Sequence, residues 1–178
     1  QGLGSVGYHV CKHLHEAGAK LYVTDIRKES IARVVNELGA TAVDPDEIYK
    51  IECDVFTPCA MGAVINDFTV PQLKCRIVAG SANNQLAEPR HGDMLTEKGI
   101  LYIPDFVINS GGVINVYEEI KGYDKERALN RASTIYDSVK RIIEISKRDN
   151  IPTYQAADRM AEERMAKMAK VNTVYLKK

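Results

Sequence analysis

The 178-residue sequence has no excess of either charge, with 24 Lys and Arg against 24 Asp and Glu. A nucleic-acid binder ordinarily carries a basic surplus to neutralise phosphates, so that class is disfavoured. No apolar run approaches the ~20 residues that a membrane-spanning helix needs, which argues against a membrane role. No secretory leader is legible. The four cysteines, Cys11, Cys53, Cys59 and Cys75, form no C-x-x-C pair, so neither a disulfide framework nor a zinc site is expected. Buried free thiols in a reducing cytoplasm are the expected state, and the location is read as cytoplasmic. His9, His13 and His15 lack acidic or cysteine partners in a ligand pattern, so they are read as a polar helix face and no metal site is expected. Internal repeats and low-complexity stretches are absent. What remains, 45% hydrophobic and 27% charged residues, is the composition of a globular domain with its own core.

Hydrophobic spacing predicts alternating helices and strands. Val6, Val10, Leu14 and Ala17 recur at helical spacing up to Gly18, and Lys20 to Thr24 reads as a strand ending at Asp25. Ile31, Val34, Val35 and Leu38 form a second helix face closed by Gly39, followed by a short strand from Thr41. Asp44-Pro45 predicts a helical turn. Strands are predicted from Cys53 to Pro58, from Arg76 to Gly80 and from Ile100 to Ile103. Short helices are predicted at Thr69-Val70-Pro71 and from Glu88 to Lys98. Such alternation implies an α/β domain of Rossmann-type, doubly wound, with a mainly parallel sheet whose strands are buried on both faces.

From Gly112 the pattern turns helical. A long helix is expected from Asp124 to about Lys147, with Leu129, Ile135, Val139, Ile142 and Ile143 as core candidates. A last helix from Thr153 carries the apolar set Ala157, Met160, Ala161, Met165 and Met168. These readings divide the chain into a nucleotide-binding domain over 1–150, its first strand apparently truncated before Gly2, and a C-terminal helix over 151–178.

Gly2-x-Gly4-x-x-Gly7 opens the first helix. Gly2 permits a tight turn, Gly4 lets a pyrophosphate approach the backbone, and Gly7 lets the helix pack closely. With Ser5 and Val6, the helix start offers N–H groups and partial positive charge to phosphate. Asp25 lies about 20 residues on, where a carboxylate accepts from ribose hydroxyls and repels a 2′-phosphate. NAD is therefore expected as cofactor, and Arg27 is the residue that could soften the preference over NADP.

Several segments resemble the second domain of the glutamate, leucine, phenylalanine and valine dehydrogenase family, its leucine members above all. They are Q-G-L-G-S-V-G-Y-H-V (from Gln1), E-C-D-V-F-T-P-C-A-M-G (from Glu52), G-S-A-N-N-Q-L (from Gly80), E-P-R-H-G-D (from Glu88), P-D-F-V-I-N-S-G-G-V-I-N-V (from Pro104) and D-N-I-P-T-Y-Q-A-A-D-R-M (from Asp149). The resemblance implies oxidative deamination of a branched-chain L-amino acid to its 2-oxo acid. It implies that Cys59 and Ala60 line the dinucleotide cleft. Asn83 would stand beside the nicotinamide ribose and Asn109 would face the carboxamide and substrate. Val113 and Val116 would touch the substrate's aliphatic side chain. The family's general base belongs to an N-terminal catalytic domain, so no catalytic residue is assigned to this chain. That domain is its implied partner, and the intact protein is expected to be a homo-oligomer. A free-standing regulatory nucleotide-binding module is the alternative, as is the same domain from a phenylalanine or valine enzyme.

Overall fold

A computed structural model describes residues 1–175. The chain divides into two compact units, Gln1–Ser110 and Gly111–Lys178. The boundary expected at residue 150 falls inside the second unit, at the turn between its two longest helices, and residues 176–178 of the expected C-terminal segment lie outside the described residues.

The first unit runs α1 (Ser5–Glu16), β1 (Tyr22–Val23), α2 (Lys28–Leu38), β2 (Thr41–Ala42), β3 (Glu52–Phe56), β4 (Lys74–Val78), α3 (Arg90–Glu97), β5 (Leu101–Tyr102) and α4 (Asp105–Ile108). Every strand pairing is parallel, β1 with β2 and β3 with β4 and β5. The expected α/β, parallel architecture is therefore present, in two sheets rather than one. Gln1 and Gly2 bridge their ends. The Gln1 amino group donates to the Thr57 carbonyl (3.1 Å), Cys59 N–H to the Gln1 carbonyl (2.7 Å) and Gly2 N–H to the Thr24 carbonyl (2.9 Å). Beyond that bridge a cavity of about 520 Å³ opens between β1 and β3, lined by Val10, Cys11, Leu21, Val23, Cys53 and Val55. The strands were expected to be buried on both faces. Val55 is instead exposed, because β3 pairs only with β4 and its other edge faces this cavity.

Local chemistry explains the helices. Gly39 ends α2 in the left-handed region, with φ +64°, and its N–H closes on the Val35 carbonyl at 3.0 Å. Leu3, Cys11, Leu21, Val23, Val34 and Ala40 form a buried cluster against which Ile31, Val35 and Leu38 pack. The helical turn expected at Asp44-Pro45 is present: Ile48 N–H donates to the Asp44 carbonyl (3.2 Å), Asp44 Oδ1 accepts from Asp46 N–H (3.0 Å), and a single 3₁₀ turn follows at Ile48–Lys50. Two expectations need correction. The helix expected from Glu88 begins at Arg90, and Glu88 N–H donates to His91 Nδ1 (2.9 Å) just before it. The short α4 after Pro104 was not expected at all.

The second unit holds α5 (Gly111–Ile120), α6 (Lys125–Asp149) and α7 (Thr153–Tyr175). Asp124 caps α6 by accepting from Arg127 N–H at 2.8 Å, and Asn150 closes it in the left-handed region before Pro152. Ala128, Ile142 and Ile145 are buried on α6, and Ala156 and Ala157 on α7. Leu129, expected in the core, is 61% exposed, and Met165 and Met168 are exposed too, whereas Ala157 is buried as read. Leu129 lies on the opposite side of α6 from the buried Ile142–Ile145 stripe, so its apolar character suggested a core place that helical spacing does not support.

Candidate functional site

From the Gln1–Gly2 bridge the chain moves outward through β1 and β2 on one side. It then returns and moves outward through β3, β4 and β5 on the other. The strand order therefore reverses at the glycine turn. In parallel sheets the crevice beyond the carboxyl ends of the strands at such a reversal is where ligands sit. Gly2 to Gly7, Asp25, Cys59, Ala60, Asn83 and Asn109 all lie beyond strand ends in this unit.

The three glycines of the turn have different physical roles. Gly2 sits at φ +87°, and a Cβ there would lie 2.7 Å from the Ala60 backbone nitrogen. A Cβ at Gly7 would collide with the Gly2 carbonyl oxygen and press on Cys59 Cβ at 3.3 Å, so helix α1 seats directly on the turn and on the 59–60 loop. Gly4 is open: the nearest atom to a Cβ there is Arg27 Nη2, 3.8 Å away. The first intrahelical bond is Tyr8 N–H to the Gly4 carbonyl (2.9 Å), and no side chain caps α1. The N–H groups of Ser5, Val6 and Gly7 are thus outside the helix ladder. Open space over Gly4 and uncommitted N–H donors are what a pyrophosphate requires, so the turn fits that group.

Asp25 is locked into this turn. Its Oδ2 accepts from Leu3 N–H at 2.5 Å and its Oδ1 from Arg27 N–H at 2.8 Å. Burial pushes its carboxyl up, but those two N–H groups and the Arg27 guanidinium outweigh burial and hold it below the ordinary carboxylate range. The acid stays ionised at neutral pH, and each oxygen keeps a lone pair for a further donor.

On the other side of the reversal three loops are cross-bonded. Ala82 N–H donates to the Pro58 carbonyl (3.0 Å), and Ala63 N–H donates to the Asn84 carbonyl (2.6 Å). Ala63 and Asn84 both occupy the left-handed region, with φ +59° and +51°. Asn109 Nδ2 donates to Asn83 Oδ1 at 2.6 Å, joining two residues 26 positions apart. Buried Gln85 supports this loop. Its amide donates to the Gly80 (2.7 Å) and Ala82 (3.0 Å) carbonyls, while its own N–H donates to Asp105 Oδ2 (3.0 Å). Asp105, two residues past the strand predicted at Ile100 to Ile103, is buried, and its Oδ1 accepts from Phe106 N–H (2.9 Å). Sequence reasoning missed Gln85, Asp105 and the Leu3–Asp25 bond, since spacing carries no signal of which backbone group a side chain will meet.

Val113 and Val116 lie on α5 in the second unit, where they are 74% and 56% exposed. All four cysteines are free. Cys11 and Cys75 are buried, and burial pushes the Cys75 thiol up to about 11. Cys53 and Cys59, expected to be buried, are half-buried, because Cys53 borders the cavity beside β3 and Cys59 sits in the loop under the glycine turn. His9, His13 and His15 are exposed on α1. No helix is long and apolar enough to cross a membrane among the described residues.

Against known proteins, the family profile described as Glutamate/Leucine/Phenylalanine/Valine dehydrogenase matches residues 22–173. Leucine dehydrogenase of Geobacillus stearothermophilus is 61% identical over 176 residues, which is 99% of this chain and 48% of that protein. The crystal structure of L-tryptophan dehydrogenase from Nostoc punctiforme superposes with a TM-score of 0.94 at 47% identity, over 96% of this chain and 52% of that one. A hetero-hexameric glutamate dehydrogenase from Thermus thermophilus shares the fold, with a TM-score of 0.73 at 20% identity, over 97% of this chain and 46% of that one. The chain spans about half the length of the relatives it matches.

Proposed function

Because the chain belongs to the glutamate, leucine, phenylalanine and valine dehydrogenase family, we propose that it is the NAD-binding part of an amino acid dehydrogenase. Its reaction is the reversible oxidative deamination of a branched-chain L-amino acid, leucine first, to the 2-oxo acid. The observation that carries the cofactor reading is the open turn at Gly4 set directly beside the ionised Asp25. The similarity to leucine dehydrogenases carries the choice of substrate.

In this reading the N–H groups of Ser5, Val6 and Gly7 hold the pyrophosphate over Gly4. Asp25 accepts from a ribose hydroxyl with the lone pairs that Leu3 and Arg27 leave free. Cys59 and Ala60 wall the cleft. The Asn83–Asn109 pair orients the nicotinamide end, and Val113 and Val116 meet the substrate's aliphatic chain. When bound, NAD supplies the acceptor for the substrate's hydride at C4 of its nicotinamide ring. The general base comes from the part of the intact protein outside this chain, and cleft closure between the parts completes the site.

Calorimetry with NADH and NADPH tests the cofactor reading. NADH should bind more tightly, and Asp25→Ala should weaken NADH and narrow the gap. Equal affinity for both in the unmodified protein would overturn the role of Asp25. For the substrate, the intact protein should show its highest kcat/KM with leucine among leucine, valine, phenylalanine and glutamate, and a preference for glutamate would sink the reading. The 178-residue chain alone should not oxidise leucine.

A further inference from the structure

We propose that Arg27 is the cationic arm of the cleft, its guanidinium donating to the pyrophosphate of the dinucleotide over Gly4. The inference rests on the cofactor reading above and goes beyond it.

The argument begins with charge. Asp25 is bonded to Leu3 N–H inside the glycine turn itself, so a full negative charge sits beside the place where a dianionic pyrophosphate must be received. A helix N-terminus contributes only about half a positive charge. The turn therefore needs a counterion that faces the ligand, and Arg27 is the cation in position. Its Nε is 3.6 Å from Asp25 Oδ1, and its Nη2 stands 3.8 Å from the Cβ position of Gly4, on the open side of the turn.

Other arginines of this unit are committed elsewhere. Arg90 makes a two-pronged pair with Asp67 at 2.6 Å through each terminal nitrogen, and Arg33 pairs with Glu37 at 3.2 Å while lying over the Tyr8 ring. Arg27 differs. Its firm bond to Asp25 is made by the backbone N–H at 2.8 Å, whereas its side chain is 59% exposed and its guanidinium meets the carboxylate at longer range. The carboxylate is buried, but at 3.6 Å it holds the mostly exposed Arg27 side chain weakly, so the fork can turn toward a ligand. A planar guanidinium with paired N–H donors matches phosphate oxygens in geometry as well as charge.

The position also allows two other contacts, a 2′-phosphate or the face of the adenine ring. The place of Nη2 beside Gly4 favours the pyrophosphate. Titrations of the intact protein, Arg27→Ala and Arg27→Lys with NADH, NADPH, ADP-ribose and adenosine separate the three. Arg27→Ala should weaken NADH and ADP-ribose by about tenfold, leave adenosine unchanged, preserve the NADH-to-NADPH ratio and flatten the salt dependence of binding. Arg27→Lys should fall between, since it keeps the charge and loses the fork. Unchanged ADP-ribose affinity in Arg27→Ala overturns the proposal. So does an equal loss for adenosine, which would mean stacking on the base, or a loss confined to NADPH, which would mean a 2′-phosphate contact. An unmodified protein that binds neither dinucleotide overturns the cofactor reading itself. Equal melting temperatures of the variants confirm that binding, not folding, is being read.

Discussion

Both units bury apolar residues together with a few polar ones, but they differ in how much apolar surface they leave outward. In Gln1–Ser110 the innermost side chains are mostly apolar, among them Val34, Ile65, Val78 and Leu95, all at 0% exposure. In Gly111–Lys178 a fully buried side chain is a carboxylate, Glu118, held by Arg127 and by Arg131, whose Nε lies 2.6 Å from Oε1. Meanwhile Val113, Val116, Ile120, Leu129 and Tyr136 of that unit stand exposed. The difference teaches that the first unit is held by hydrophobic burial, which fixes loops at strand ends to within hydrogen-bond tolerance. The second is three helices held largely by local contacts, with much of its apolar surface outward. Precise ligand geometry belongs to the first kind of scaffold. A large outward apolar surface suits contact with something else.

The sharpest way to break this contrast is one substitution made in both units. Leu95→Ala should cost about 2–5 kcal/mol, the range for emptying a filled core position, whereas Leu129→Ala should cost under about 0.5 kcal/mol. Comparable losses in denaturant unfolding of the intact protein would mean that the exposed face of α6 is covered in the assembled molecule.

A smaller effect is expected at Asp25. Asp25→Asn should cost about 1–2 kcal/mol at neutral pH by weakening the bonds from Leu3 and Arg27. The folded carboxyl lies below its ordinary value, so this stability is present above the unfolded carboxylate range. It is lost as pH falls through the folded value. The gap between wild type and variant should therefore close in acid unfolding curves below about pH 4. A gap independent of pH would show that the charge of Asp25 does not hold the turn.

Smallest is Glu118→Leu. Removing a buried carboxylate whose partners Arg127 and Arg131 are each about half exposed leaves both guanidinium groups free to hydrate. The expected change is within about 1 kcal/mol, either way. A thermal melt showing a loss beyond about 3 kcal/mol would place the ion cluster, rather than helix packing, at the centre of the second unit's stability.

Much of this was legible beforehand, and the reasons are specific. Gly39 and Asp124 announce helix ends because capping is a local affair of one turn. The glycine turn and Asp25 were legible because a motif of six residues and an acid at a strand end encode one supersecondary unit. Strand lengths were overestimated, since β1, β2 and β5 keep only two ladder residues each. Leu129 was placed in the core for being apolar, although its spacing from Ile142 and Ile145 sets it on the other side of α6. The α4 turn went unread because four residues are too few for periodicity to show.

By itself the sequence determined the order of elements, the parallel α/β class, the helix caps and the glycines that a backbone can satisfy with no other residue. These follow from forces that act within a few residues: φ preferences, capping and the periods of apolar side chains. The roles of Gly4, open to a ligand, and Gly7, packed, were also read from the sequence; only the tertiary structure decided which atoms each one meets. It also decided that Asp25 is spent on Leu3 N–H, that Asn109 meets Asn83, and that Arg27 rather than another arginine stands at the turn. Those contacts join residues distant in sequence. Which of many possible donors reaches an acceptor is set by how strands stack side by side, a distance that no local pattern carries.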